Sequence, residues 1–119
     1  MAGIQEAKKG TRVALTSSFN DLVSEQLQDS QDFRKALLSR AVGCMLEGDL
    51  EVGKSLLRKY VNGTLGFIAL GHALGKSSKT LMQMLGPKGN PQIRNFFEIV
   101  AYLQKVEGAA LEVVDRNAA

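Results

Sequence analysis

The chain has no tryptophan, one cysteine, one histidine and two prolines in 119 residues. A single cysteine closes no internal disulfide, which fits a reducing cytosol and predicts a cytoplasmic protein. Aromatic residues are only 6% of the chain, which argues against a single-strand reader built on stacked aromatic platforms. No apolar run is long enough to span a bilayer, so no membrane partner is expected. Lys8 and Lys9 are not followed by an apolar stretch, so a secretory signal is not expected either. His72 and Cys44 fall on different predicted helices, and no third residue is placed to orient a nucleophile–base pair. No cluster of His, Cys and carboxylates has metal-ligand spacing. Gly86-Pro87-Lys88-Gly89 lacks the Gly-Lys-Ser/Thr ending of a phosphate-binding loop. The chain is therefore not expected to be an enzyme or to carry a metal or cofactor.

The most informative absence is that of negative charge. Between Val52 and Phe97 there is no acidic residue, while Lys54, Arg58, Lys59, Lys76, Lys79, Lys88 and Arg94 give that stretch a net charge of +7. The whole chain carries only +3, so the two flanks together carry −4. The first 51 residues hold six basic and eight acidic side chains, a net of −2. A basic block of this kind points to a polyanion, because cations near phosphates release condensed counterions on binding.

What the chain does contain is helical periodicity. Hydrophobic residues are 45% and charged residues 23%, ordinary values for one globular domain of this length. Residues 1–18 have no helical period and read as an N-terminal arm, with a short edge strand over 12–16 as the alternative. Ser18 is placed to cap a helix over 19–27 on Phe19, Leu22, Val23 and Leu27. Asp29-Ser30 breaks the chain, and a helix over 31–46 follows on Phe33, Ala36, Leu37, Val42, Cys44, Met45 and Leu46, with Arg34, Lys35 and Arg40 facing out. Gly48 ends it. Asp49 caps the next helix, over 50–61, with Glu51 in its first turn and Val52, Leu56, Leu57, Tyr60 and Val61 inward. Asn62-Gly63 stops that helix.

Thr64 is predicted to cap a short helix with Leu65, Ile68, Ala69 and Leu70 buried and Phe67 packed beside them. Gly71 is read as a close-approach site between crossing helices. Gly75 supplies a left-handed break, and Ser77 caps a second short helix whose buried face is Leu81, Met84 and Leu85. Ser78, Lys79, Met82 and Gln83 fall on its other face. Met45 and Met84 read as core filler. The turn-rich run Gly86-Pro87-Lys88-Gly89-Asn90-Pro91 leads into a helix capped by Asn90, opened by Pro91 and running to Val106 on Ile93, Phe96, Phe97, Ile99, Val100 and Leu103. Gly108 ends it, and 109–114 reads as a short strand or an extended tail, with 115–119 frayed. The expected fold is all-α: five to six short helices containing a helix-turn-helix, which sets its second helix in the DNA major groove. The domain spans 19–114.

Residues 33–113, roughly two-thirds of the chain, resemble the HigA-like antitoxins of bacterial addiction modules, whose toxins are HigB- or RelE-like messenger-RNA-cleaving enzymes. The resemblance lies in Ala36-Leu37-Leu38, Leu46-Glu47-Gly48-Asp49-Leu50-Glu51, Leu70 to Leu85, and above all the Gly86–Pro91 loop straight after the second helix. It implies a lambda-repressor-like fold and a cytoplasmic homodimer that neutralises its toxin and represses its own operon on a palindromic duplex operator. The DNA-reading positions carried over are Ser77 as cap and Ser78, Lys79, Met82 and Gln83 in the groove. Lys76 and Lys88, at the ends of the unit, are expected to contact phosphate, and Arg94 is counted with the DNA-binding residues. Lys76 departs from the usual apolar residue after the turn glycine, and Gly71 from the usual alanine. The acidic first 51 residues are the expected toxin-contacting region, and Leu111, Val113 and Val114 the expected dimer contacts. The alternative readings are a helix-turn-helix regulator without a toxin, or a protein-interaction module.

Overall fold

A computed structural model describes residues 21–117. The N-terminal arm, the edge-strand alternative, Ser18, Phe19 and the last two residues fall outside them. Among the described residues there are six helices and no strand: α1 (21–29), α2 (Gln31–Leu46), α3 (Leu50–Gly63), α4 (Gly66–Leu74), α5 (Ser78–Met84) and α6 (Ile93–Glu107). No helix among them is long and apolar enough to cross a membrane.

The helix boundaries follow from local chemistry. Ser30 Oγ accepts from the Phe33 amide at 3.1 Å and opens α2. Asp49 accepts from the Val52 amide at 3.4 Å and opens α3. The three-residue turn between them folds α2 and α3 into a helical hairpin, which forms the body of the molecule. Gly108 ends α6 at φ +69°, in the left-handed region where a side chain is strained.

The core unites Leu27 of α1, Leu38 and Ala41 of α2, Leu57, Tyr60 and Val61 of α3, Phe67 and Leu70 of α4, Leu81 and Leu85 around α5, and Ile99, Val100 and Leu103 of α6. Met45 and Met84 pack against it, as expected of filler, and Cys44 is buried at 2% exposure.

Several inward faces differ from expectation. Leu38 and Ala41 are fully buried, whereas Leu46 is 65% exposed and Ile68 71% exposed. Ala69, Val52, Ile93 and Phe97 are also exposed. α4 presents Phe67, Leu70 and Gly71 to the core, a narrower stripe than its composition suggests. Arg34 does not face out. Its guanidinium reaches Glu107 on α6, 2.9 Å from both carboxylate oxygens, and donates to the Leu27 carbonyl at 2.9 Å.

Two expected caps are not formed. Thr64 Oγ1 donates to the Tyr60 carbonyl at 2.6 Å, so it closes α3 and leaves α4 to begin after Leu65 without a side-chain cap. Asn90 and Pro91 precede a helix whose N-cap is Gln92, also without a side-chain bond. Gln92 holds the extended backbone of a cap, φ −64° and ψ 149°, so the first helical residue is Ile93. The 109–114 segment is not a strand. No extended partner lies beside it among the described residues, and the Leu111 amide is taken by Gln104 Oε1 at 2.8 Å instead. Residues 115–117 form an exposed turn closed by Asn117 N–H to Asp115 Oδ1 at 2.9 Å.

Candidate nucleic-acid interface

α4 and α5 are joined by Gly75, Lys76 and Ser77. Gly75 lies at φ +67°, ψ +33°, and the Lys76 amide bonds back to the Gly71 carbonyl at 3.0 Å. A Cβ on Gly71 would run into the Lys76 carbonyl oxygen and stand 3.4 Å from the Ser78 amide. Gly71 is thus a close-approach site, as expected, but what it admits is the turn itself. Ser77 Oγ accepts from the Thr80 amide at 3.0 Å and donates to Thr80 Oγ1 at 2.7 Å, so the cap involves both hydroxyls. Leu81 and Leu85 are fully buried and Met84 is half-buried, which fixes the inward side of α5.

The outward side carries Lys79, Thr80, Met82 and Gln83, all exposed. Ser77 is exposed at the cap and Ser78 half-buried behind it. These groups offer an ammonium, hydroxyls, a thioether and an amide, a set able to meet acceptor, donor and methyl edges in a major groove. Between α4 and the start of α5 lies an open cleft of about 400 Å³, lined by Ile68, Gly71, His72, Gly75, Lys76, Ser77 and Ser78. His72 and Ile68 are exposed at its edge.

The seven cations of the basic stretch do not act as one surface. Lys79, Lys88 and Arg94 are exposed, Lys88 in the loop after α5 and Arg94 in the first turn of α6. Arg58 and Lys59 are half-buried on α3. Lys76 Nζ lies 3.8 Å from Glu98 on α6, so the cation after the turn glycine is held toward the body of the protein. Lys54 is buried at 5% exposure. Sequence position alone places all seven together; the fold leaves three of them exposed.

No known family, curated protein or solved structure matches this chain. The site is therefore defined by its own geometry.

Two features of this region escape a reading by periodicity. Thr80 belongs to the cap of α5, and its signal was a second hydroxyl residue three positions after Ser77. The other is an apolar groove of about 710 Å³ on the side of α2–α3, walled by Met45, Leu46, Leu50, Ile93, Phe97 and Val113 among others. Its walls come from four separate segments, so no single stretch announces it.

Proposed function

We propose that the chain is the antitoxin of a type II addiction module: a dimeric repressor that reads the operator of its own operon through α5 and neutralises a ribonuclease toxin encoded beside it. The observation that carries the DNA-reading half is the α4–Gly75–α5 unit. A short helix is capped by Ser77, anchored by Leu81 and Leu85, and presents Lys79, Met82 and Gln83 to solvent. That is the arrangement by which a second helix enters a major groove. Exposed Lys88 and Arg94 suit phosphate contacts at its flank.

The toxin-binding half rests on the sequence resemblance and on charge. Glu47, Asp49 and Glu51 lie exposed around the α2–α3 turn, next to the apolar groove. An acidic rim beside an apolar floor suits a basic ribonuclease. Dimerisation is supported by Val113 and Val114, which are 77% and 71% exposed; Leu111 is half-buried against the core and drops out as a contact residue.

The test is a gel shift on the DNA upstream of the gene, with and without the product of the adjacent gene, followed by co-purification of the two proteins. Retarded DNA and a stable complex are expected. Light scattering should give the mass of a dimer. Leu27 is fully buried, so truncating the first helix would damage the core. Reversing the charge of exposed Glu47 in the full chain, which leaves the Asp49 cap and the Glu51–Lys54 pair intact, is the cleaner probe of toxin contact, and parental toxin affinity in that variant would exclude Glu47 as a contact.

A further inference from the structure

Lys54 is a cation that the fold has put away. It is 5% exposed, on the second turn of α3, and its Nζ donates to the Gly86 carbonyl at 3.1 Å and to the Gly89 carbonyl at 2.7 Å. Glu51 Oε2 lies 3.0 Å away. Three partners match the three protons of an ammonium. The two carbonyls belong to the loop that leaves α5, more than thirty positions along the chain.

That loop is folded hard against the end of α5. The Gly86 amide bonds to the Gln83 carbonyl at 3.1 Å, and the Gly89 amide to the Gly86 carbonyl at 2.9 Å. A Cβ on Gly89 would run into the carbonyl oxygens of Gln83 and Met84. α5 itself has seven residues, too few to hold a helix unaided. Its start is fixed by the Ser77 cap and the Gly71 contact. Its end is fixed by this loop, and the loop by Lys54.

We propose that Lys54 is a positioning residue for the reading helix: its buried ammonium ties the Gly86–Gly89 turn to α3 and so sets where the C-terminal end of α5, with Gln83, stands relative to the body of the protein. The inference rests on the DNA-reading function proposed above. A side chain this buried makes no phosphate contact of its own. Its effect on DNA therefore passes through the carbonyls of Gly86 and Gly89 to α5.

The experiment uses the full chain, a duplex selected from a random pool by the parent protein, and a scrambled duplex of the same composition. Lys54→Met removes the tie, and Gly89→Ala displaces the same turn from its other side. Glu107→Gln, which loosens contacts near the opposite end of α2, is the control for lost stability. Both turn variants are expected to bind the selected duplex about tenfold more weakly, the scale of one lost base contact. Their affinity for the scrambled duplex and their salt dependence stay parental, and Glu107→Gln keeps the parental preference. A parental preference in Lys54→Met overturns the proposal. So does equal weakening on both duplexes with a salt slope lower by about one, which marks a direct phosphate contact. If Lys54→Met does not fold, Gly89→Ala decides by the same criteria. A parent protein that selects no duplex overturns the DNA reading together with this one, whereas a selective parent with unaltered variants overturns this one alone.

Discussion

Arg34 and Glu107 stand 73 positions apart in the chain and 2.9 Å apart in the fold. The carboxylate is 5% exposed and the guanidinium 24%. Tyr60 donates to the same carboxylate at 2.5 Å, Gln31 donates to the Glu107 carbonyl at 3.1 Å, and Arg34 holds the last carbonyls of α1. Four helices meet at this one acid.

Removing one member of such a cluster strands the others. Glu107→Ala is expected to destabilise the protein by about 3–5 kcal/mol, because it leaves a partly buried cation without its partner. The combination Arg34→Met, Glu107→Leu and Tyr60→Phe should cost less than Glu107→Ala alone, since no orphaned charge or hydroxyl remains. Urea unfolding of the two proteins provides the comparison.

The same cluster predicts an alkaline limb. Burial, then the hydrogen bond to Glu107 and its negative charge, raise the Tyr60 phenol well above its ordinary range, with Arg34 opposing. Below about pH 10 both folded and unfolded chains hold this proton, so its contribution is complete and flat. Above it the unfolded chain loses the proton that the folded chain keeps, and stability falls with rising pH, by up to about 1.4 kcal/mol per unit. Tyr60→Phe should remove that share of the slope. Chemical denaturation between pH 8 and 12 at fixed salt measures it.

Two glycine substitutions should act in opposite directions. A Cβ on Gly43, inside α2, meets nothing within 4 Å. Gly43→Ala should therefore stabilise by about 0.5–1 kcal/mol through the unfolded chain and helix propensity. Gly71→Ala drives a methyl into the Lys76 backbone, which cannot yield without opening the turn. Thermal melts should move up for the first and down for the second, and only the second should lose DNA binding.

On the proposed interface, Gln83→Ala and Lys79→Ala are expected to relax sequence choice, each good bidentate base contact contributing about 1–3 kcal/mol of discrimination. Lys88→Ala should weaken every duplex alike and lower the salt slope by about one. All three side chains are exposed, so folding should survive. Titrations of specific and scrambled duplexes over a salt series separate the two effects. Parental operator binding by both Gln83→Ala and Lys79→Ala would remove α5 as the reader.

Most helix ends were legible because they are local events, the starts of α4 and α6 at Thr64 and Asn90 excepted. Ser30, Asp49, Gly75, Ser77 and Gly108 each satisfy or break a backbone within a few residues, and each does in the fold what its chemistry predicts. Facing was less legible. Ile68 and Leu70 are equally apolar, yet only Leu70 points inward, because the position of α3 against α4 decides it. Long-range polar contacts were not legible at all. Lys54 read as one cation among seven, Arg34 as an outward charge, and Glu107 as an unremarked acid before a terminal glycine. Their long-range partners lie 32 to 76 positions away.

Cys44 gives the protein a built-in clock. The only thiol in the chain sits at 2% exposure in the packed side of α2. A thiol reagent can reach it only when the bundle opens, so the labelling rate in native buffer counts opening events. Where reclosing is faster than reaction, that rate gives the free energy of opening without added denaturant. Addition of operator DNA or a partner protein should slow the reaction in proportion to how tightly the closed bundle is held.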